Sequence, residues 1–371
     1  NLQDRSNRYD GLVPANCQLL LGPRFALLRP EFAARRAGLA RAYGQHSVVL
    51  FAGGGDPDNV TGSILEAWEA LPPSRPALDV IVGAANPHVT KIRERCAALT
   101  NVTMHVHTSR MSELLAAADL LIGSAGTVSW ERCCLGVPAL MVVVADNQRL
   151  NARLLARHRT GINLGDAARL DHAALRSMIE RVLVRPSLLR RMGERAADLV
   201  DGRGAVRAAL ILRAARMRLR QARSEDASVA WPWRNHPDTR RVSRDPRELT
   251  WDEHHAWWNR AVRDEQRKVF VAHCGSCDVG ILRLDVAGDS AEISIYLDPG
   301  LTRLGLGVRI LRLAQQWVAA QLPAVRRLDA YILRDNRASE RTFAAAGFRR
   351  GEASWHWYRT DGSVRDANAG V

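Results

Sequence analysis

Short apolar runs alternate with helix-length segments between residues 46 and 215. The apolar runs have the length of buried strands, and polar or glycine-rich turns separate them from the amphipathic segments; they lie at 48–51, 78–82, 102–106, 120–122 and 139–144. A regular strand–helix alternation is typical of a parallel sheet with helices on both faces. The pattern therefore predicts an α/β fold with a doubly wound, Rossmann-like parallel sheet.

The regular alternation of predicted strands and helices ends near residue 220. An Arg-rich segment, 207–223, is predicted to be the last helix of the first domain, and the polar residues 221–230 are predicted to be a linker. Tryptophans then cluster, and two adjacent strands precede a third, 291–297, in which apolar and polar residues alternate. Adjacent strands mixed with helices indicate an α+β domain. We therefore predict a second domain over 231–362, followed by a tail, 363–371.

Two glycine-rich loops follow predicted strands of the first domain. The triplet at 53–55 and the segment 123–127 each lead from a strand into a helix. The carboxyl ends of parallel strands meet at one edge of the sheet, and backbone N–H groups there bind phosphate. Glu131 could accept hydrogen bonds from a ribose, and Asn147 and Gln148 would face the same edge. Ordinary turns with a solvated glutamate remain the alternative.

Neither loop carries a known nucleotide-binding fingerprint. The triplet matches neither G-x-G-x-x-G nor the Gly-Lys-Ser/Thr of a phosphate-binding loop, so a dinucleotide cofactor or an ATPase is not indicated.

The charge of +14 invites a nucleic-acid interpretation, but its distribution argues against one. Lys91 and Lys268 are the only lysines, and the arginines are spread along the chain among acidic residues. A nucleic-acid site needs a basic patch, so we expect no nucleic-acid partner; a smaller anionic ligand suits the charge equally well. No apolar run reaches the ~20 residues that a membrane helix requires, and we expect no membrane partner.

Cys274 and Cys277 form a C-x-x-C motif. A structural zinc site needs a second ligand pair, which the sequence lacks, so we expect a tight hairpin turn and no metal. Six cysteines in a chain of this size do not resemble a secreted disulfide framework. A cytoplasmic location is the expectation that follows.

The first domain resembles the UDP-sugar hydrolases of pseudaminic acid biosynthesis. The stretches that carry the resemblance, in order along the chain, are 9–14, 20–32, 53–59, 111–114, 123–140 and 146–148. The family has a two-Rossmann-domain, glycosyltransferase-like fold, of which this chain would hold the carboxyl-terminal half. The resemblance implies hydrolysis of UDP-2,4-diacetamido-2,4,6-trideoxy-β-L-altropyranose to the free sugar and UDP.

The resemblance also assigns roles to residues of the first domain. It places Gly54 and Gly55 at the ligand cleft. It implies that Ser124, Gly126 and Thr127 hold the diphosphate, that Glu131 holds the ribose, and that Asn147 and Gln148 face the sugar.

One departure concerns the catalytic group. The family's amino-terminal domain carries a glycine-rich loop ending in a catalytic histidine, and this sequence has no Gly-x-Gly-His. The chain begins at Asn1 rather than Met, so residues 1–45 are interpreted as the remnant of that domain and the crossover, with the UDP-sugar domain over 46–220. The expectation is weak or absent hydrolase activity in this chain.

The second domain contains Trp-Arg-Asn at 233–235, the segments 253–258 and 302–307, and the segment 336–348. In these residues it resembles GNAT acetyltransferases that act on amino sugars of the same pathway. It implies acetyl-CoA as co-substrate, with Glu292 as a candidate catalytic base; Glu292 could equally be an outward-facing strand residue. The implied coenzyme A ligands are Arg303, Leu304, Gly305, Leu306, Gly307, Val308 and Asn336.

Two positions of this domain depart from the family pattern. Thr302 stands where Gln or Arg is usual, and Phe343 stands where many relatives have a tyrosine that protonates the departing thiolate. The combined hypothesis is a UDP-sugar hydrolase fused to an amino-sugar N-acetyltransferase. The alternatives are a nucleotide-sugar glycosyltransferase and a non-catalytic UDP-sugar-binding module that serves the transferase.

Overall fold

The computed structural model describes residues 9–15, 17–44 and 47–359. The chain forms two compact units, with the division between Ala208 and Ala209. Each unit has its own sheet. The predicted tail, 363–371, lies outside the described residues.

The first unit is built on a six-stranded sheet in which every neighbouring pair is parallel. Its strands are rich in Val, Leu and Ile, as strands covered on both faces must be. They are β1 (Ser47–Phe51), β2 (Ala77–Val82), β3 (Val102–Val106), β4 (Leu120–Ser124), β5 (Ala139–Val143) and β6 (Gly161–Asp166).

Helices connect these strands and cover both faces of the sheet. They are α1 (Pro30–Ala37), α2 (Val60–Glu69), α3 (Val89–Ala97), α4 (Met111–Ala117), α5 (Val128–Cys134), α6 (Asp146–Arg157), α7 (His172–Leu183), α8 (Pro186–Leu199) and α9 (Gly204–Leu212), the last of which crosses the division between the units.

Alternation along the strands divides the core into two layers. Val48 and Leu50 of β1 pack with α2, α3 and α7, whereas Val49 faces the cluster that includes α1, α4, α5 and α8. Successive strand side chains point to opposite faces, so a continuous apolar strand supplies both layers.

The strand order is β3-β2-β1-β4-β5-β6. The direction of winding reverses between β1 and β4, which makes their carboxyl ends the topological switch point of the sheet. The loop after β1 and the loop after β4 meet there. The predicted doubly wound, Rossmann-like fold is confirmed.

The second unit contains a seven-stranded sheet that is antiparallel except for one pair, β10 with β11. Its strands are β7 (Arg218–Gln221), β8 (Arg267–Cys274), β9 (Cys277–Ala287), β10 (Ser290–Leu297), β11 (Arg327–Ala330), β12 (Arg349–Arg350) and β13 (Trp355–Tyr358). This mixed sheet confirms the predicted α+β character, and β8 and β9 form the expected hairpin around Gly275 and Ser276.

Five helices accompany the second sheet among the described residues: α10 (Ala227–Asn235), α11 (Pro237–Arg240), α12 (Trp251–Ala261), α13 (Leu306–Gln321) and α14 (Arg337–Ala345). Residues of α10 and α12, including the fully buried Trp258, pack on Val269, Val271 and Ile281 of the sheet. None of the described helices has the length and apolar character that crossing a bilayer demands.

The structure corrects the prediction for residues 207–230. The predicted helix over 207–223 ends at Leu212, and the edge strand β7 follows it and pairs with β8. The predicted linker, 221–230, includes the start of α10, and Ala222, Ala227 and Ala230 are buried in the core of the second unit. The second unit therefore begins before this segment.

Candidate functional sites

A cavity of about 720 Å³ opens at the switch point of the first unit. Its wall comes from the loop after β1, the loop after β4 and the first turns of α6. Of the predicted substrate-binding residues, seven line it: Gly54, Gly55, Ser124, Gly126, Thr127, Asn147 and Gln148. The structure thus brings together three segments that are distant in the sequence.

The glycine loop leaves one side of this cavity open. A Cβ atom built on Gly53, Gly54 or Gly55 would meet nothing within 4 Å, so a side chain there would project into free space. Gly83 packs directly behind the loop. A Cβ atom built on Gly83 would lie 2.1 Å from the Gly54 carbonyl oxygen, so no larger residue fits there without a shift of the backbone. The loop therefore presents bare backbone, which can approach a ligand closely.

Asp56 fixes the far end of this loop. Its buried carboxylate accepts hydrogen bonds from the backbone N–H groups of Val60 and Thr61 at 2.8 and 2.9 Å. It holds the start of α2 and has a positive φ of 39°. This carboxylate supports the loop, whereas the glycines form the surface.

Amide side chains of α6 hold the opposite loop. The side-chain N–H of Asn151 donates to the Ala125 carbonyl at 2.9 Å, and the Gln148 side-chain oxygen accepts from the Val144 N–H at 3.4 Å. The Thr127 side chain makes no capping hydrogen bond to α5, so helix capping does not occupy its hydroxyl. Since α5 has only seven residues, the cavity and the loop N–H groups, rather than a helix dipole, favour an anion here.

Glu131 does not line the cavity. It lies on α5 with its carboxylate 3.9 Å from the Arg29 guanidinium, and its side chain is 18% exposed. Burial raises the pKa of this carboxyl, and Arg29 partly offsets the effect. Its role toward a ribose stays a prediction.

A second cavity, of about 520 Å³, lies within the second unit. One wall is the face of the sheet that carries Arg283, Glu292 and Tyr296, and the other comes from α10, α11, α12 and the loop 241–250. Its floor includes Phe343 of α14. Both charged and aromatic side chains therefore surround the predicted catalytic residue.

Glu292 is held between two arginines. Its carboxylate lies 2.9 Å from Arg244 and 3.7 Å from Arg283, which itself contacts Asp285 at 2.9 Å. The backbone of Glu292 forms the last pair between β10 and β11, opposite Asp329. The residue thus stands where the two parallel strands separate.

His254 is a buried, uncharged group on the opposite wall. It is 2% exposed, and burial lowers its pKa to about 4, although a hydrogen bond to the Ala227 backbone counteracts the shift. Its Nε2 atom has no hydrogen-bond partner among the described residues. Tryptophan rings surround the imidazole, with the Trp258 centroid at 5.6 Å.

The predicted coenzyme A loop precedes α13. Arg303 and Gly305 have positive φ angles of 62° and 75°, and the helix begins at Leu306. A Cβ atom on Gly305 would meet nothing within 4 Å, whereas one on Gly307 would lie 2.9 Å from the Thr342 side chain. Two left-handed residues before a long helix leave N–H groups at an open surface, which fits a pyrophosphate.

The other predicted residues of this site lie in two places. Leu304 and Leu306 are buried and contribute backbone rather than side chain. Asn336 lines the second cavity and caps α14, where its side-chain oxygen accepts from the Ser339 N–H at 3.1 Å. Val308 is in the first turn of α13. These assignments to coenzyme A remain predictions.

Phe343, where the resemblance leads one to expect a tyrosine, lies on α14. It is 4% exposed and packs edge-on against Phe348, with ring centroids 5.0 Å apart. Tyr296 brings a different hydroxyl to the cavity, and burial raises its pKa. That shift makes Tyr296 a weak proton donor.

Several residues of the second cavity were missed by sequence reasoning. Tyr296 follows Glu292 at even spacing along β10, and this alternation could have identified it. Arg244, Arg283 and His254 come from a loop, a neighbouring strand and a helix, and no local signal linked them to Glu292. Among the described residues, no group of three or more potential metal ligands is assembled.

The fold and cavities define two classes of domain. A parallel sheet with the order 3-2-1-4-5-6 and a glycine-lined cavity at its switch point is typical of a Rossmann-type domain. The second unit has the GNAT acetyltransferase fold. Its mixed sheet contains one parallel pair, β10 and β11, and the turn at Gly305 leads into α13.

Two family matches agree with this division. Residues 50–200 match the glycosyltransferase family 28 C-terminal domain, and residues 216–349 match the acetyltransferase (GNAT) domain. The chain joins the two, and the acetyltransferase match marks it as an enzyme. The GNAT match begins at residue 216, before β7, in agreement with the corrected start of the second unit.

Two curated relatives match the first part of the chain. The spore coat polysaccharide biosynthesis protein SpsG of Bacillus subtilis is 26% identical over 201 residues, which are 54% of this chain and 59% of that protein. The UDP-2,4-diacetamido-2,4,6-trideoxy-beta-L-altropyranose hydrolase of Campylobacter jejuni is 23% identical over 157 residues, 42% of this chain and 55% of that protein. The chain therefore spans little more than half of either relative, to which its first part is homologous.

A solved structure matches the second part. The aminoglycoside acetyltransferase AAC(6')-Ib in complex with coenzyme A is 16% identical, with a TM-score of 0.36, over 38% of this chain and 95% of that one.

Proposed function

We propose that the first unit binds a UDP-sugar in the switch-point cavity and supplies the UDP-sugar-binding part of a hydrolase that forms UDP and the free sugar, with weak or absent turnover by this chain because it has no Gly-x-Gly-His. The observation that carries this proposal is the convergence of Gly54, Gly126, Thr127 and Gln148 on one cavity. Homology to the altropyranose hydrolase supports UDP-2,4-diacetamido-2,4,6-trideoxy-β-L-altropyranose as the substrate. In this arrangement the loop N–H groups bind the diphosphate and the amides of α6 face the sugar.

Product analysis tests this proposal. The purified chain is incubated with the UDP-sugar, and UDP and the free sugar are separated by chromatography. Release of both in equal amounts supports hydrolysis, whereas a glycoside formed on an added acceptor would indicate a glycosyltransferase. UDP binding in a calorimeter without any turnover would indicate a binding module instead. Absence of UDP binding would overturn the assignment of the cavity.

We propose further that the second unit is an acetyl-CoA-dependent N-acetyltransferase for an amino sugar. The observation that carries it is a cavity with a carboxylate, Glu292, at the point where β10 and β11 separate. Acetyl-CoA, bound along the loop 302–308, would supply the acetyl group as a thioester. Both substrates are intracellular metabolites, so a cytoplasmic location goes with this proposal.

Glu292 would receive the proton of the attacking amine, directly or through water. The amine nitrogen forms a bond to the acetyl carbon, the carbon–sulfur bond breaks, and the thiolate takes a proton from water. Arg283 keeps the carboxylate in place throughout. A general base at this position shifts the amine toward its reactive neutral form.

Acetyl transfer from radiolabelled acetyl-CoA to a UDP-4-amino sugar tests the second activity. Labelled UDP-N-acetyl sugar is the expected product. Binding of acetyl-CoA with no transfer to any UDP-amino sugar would overturn the proposed acceptor class while leaving the coenzyme site in place.

A further inference from the structure

Arg244 lies across the gap between the two parallel strands of the second unit. It belongs to the loop 241–250, between α11 and α12. One guanidinium nitrogen lies 2.9 Å from the Glu292 carboxylate, and the guanidinium carbon lies 4.5 Å from the centroid of the Tyr331 ring. Glu292 is the last residue of β10 that pairs with β11, and Tyr331 directly follows β11. The side chain thus covers the opening where the strands part.

This opening is the place where the acceptor amine meets the acetyl group in the proposed transferase reaction. Pairing between β10 and β11 runs from Ser290 with Arg327 to Glu292 with Asp329. Glu292, Tyr331 and Arg244 all line the same cavity. A cation of the chain itself, Arg244, therefore occupies the position beside the carboxylate.

A second arginine besides Arg244 compensates the negative charge of Glu292. Arg283, on the neighbouring strand, lies 3.7 Å from the same carboxylate oxygen and is itself anchored to Asp285. Arg244 is attached to a loop, and its side chain is 55% exposed. An exposed ion pair of this kind is weak and readily exchanged for another. Arg283 is thus the permanent partner and Arg244 the replaceable one.

We propose that the Arg244 guanidinium occupies, in the free protein, the subsite that the protonated amine of the acceptor takes beside Glu292, and that acceptor binding displaces it. The inference rests on the proposed acetyltransferase function and deepens it. A cationic acceptor restores the ion pair that it breaks, whereas a hydroxyl acceptor does not. Arg244 therefore competes with any acceptor for this subsite, and Glu292 favours an amine over an alcohol because only the amine replaces the lost ion pair.

Steady-state kinetics of Arg244→Ala with a UDP-4-amino sugar test the inference. Removal of the competing cation should lower KM for the amino sugar about 2- to 5-fold, with little change in kcat or in KM for acetyl-CoA. Arg241→Ala is the matched control, because this exposed arginine lies in the same loop and does not line the cavity. It should leave both constants unchanged.

A second measurement uses the 4-hydroxy analogue of the same UDP-sugar as a competitive inhibitor. It should bind the parent protein more weakly than the amine, and Arg244→Ala should lower its Ki by about the same factor as KM for the amino sugar, because both ligands displace the same guanidinium.

Three outcomes would contradict this assignment or its basis. A higher KM in Arg244→Ala would show that Arg244 contacts the acceptor, for example its phosphates, and an unchanged KM would show a surface pair without a role. A parent chain that binds acetyl-CoA but acetylates no UDP-amino sugar would overturn the proposed function, and this inference with it.

Discussion

Burial changes the ionisation of one residue in each unit. In the second unit, His254 is uncharged because burial lowers its pKa from 6.5 to about 4. In the first unit, burial raises the pKa of Glu131. In both cases the charged form loses hydration that no strong partner replaces. The two shifts therefore affect stability as well as chemistry.

His254 should make the second unit less stable in acid. The folded state resists protonation of this imidazole, so the stability it supports is complete above pH 6.5 and is lost as the pH falls toward 4. The difference between the two pKa values corresponds to roughly 3 kcal/mol. His254→Gln should flatten this part of the pH dependence, as measured by urea unfolding between pH 7 and pH 4.

The neighbouring histidine provides the control for this measurement. His255 is exposed and stacks on Trp251, so His255→Gln should keep the pH dependence of the parent. An equally steep dependence in His254→Gln would show that other groups cause it.

A substitution of the single residue Gly54 tests whether UDP binds in the first cavity. It does not have a positive φ, and its Cβ position is free, so Gly54→Leu should fold normally. The new side chain would enter the cavity and should weaken UDP binding at least about tenfold, as a displaced or distorted ligand contact does. Calorimetric titration with UDP measures the effect.

Gly38→Leu is the matched substitution outside that cavity. Gly38 follows α1 and also has free space at its Cβ position. It should bind UDP like the parent chain, and equal binding by Gly54→Leu would remove the UDP site from this cavity.

At the scale of elements, one arginine holds two helix ends in the first unit. Arg41 donates to the carbonyl oxygens of Leu115, Ala116 and Ala118 at the end of α4, and to Leu135 at the end of α5. The last carbonyls of a helix have no intrahelical partner. Arg41 therefore fixes α5, which follows the loop after β4, relative to α4.

Arg41→Ala should cost about 2–4 kcal/mol of unfolding free energy, because several buried carbonyls lose their donor together. Chemical denaturation of the first unit measures the loss. Arg35→Ala should change stability by less than about 0.5 kcal/mol, since the ion pair of Arg35 with Glu113, at 3.6 Å, is exposed. Equal losses in the two variants would contradict the capping role.

At the scale of the whole molecule, the two units have separate cores. One lies on both faces of the parallel sheet, and the other lies between the mixed sheet and α10 and α12. We expect calorimetry to show two unfolding transitions. UDP should raise the midpoint temperature of only one transition, and acetyl-CoA that of only the other. At a hundredfold excess over Kd, each ligand should add about 2.7 kcal/mol to the unfolding free energy of the unit that binds it.

Variants assign the two transitions. Arg41→Ala should lower the transition that UDP raises, and His254→Gln should alter the one that acetyl-CoA raises. A single transition that responds to both ligands would contradict independent units.

Local patterns in the sequence determined most elements of this protein. Apolar runs and glycine turns predicted the strands of the first sheet and the loops at 53–55 and 123–127, because burial and turn geometry act on adjacent residues. Strand–helix alternation also implied that those loops share one edge. The motifs after β10 predicted the glycine turn before α13 in the same way.

Only the tertiary structure decided which distant residues meet. β7 carries charged residues because it is an edge strand with a single neighbour, so its sequence resembled an Arg-rich helix. The contact of Arg244 with Glu292 spans a loop and a strand 48 positions apart, and no periodic pattern encodes such a pair. Periodicity reports the faces of an element, whereas contacts between elements depend on how the whole chain packs.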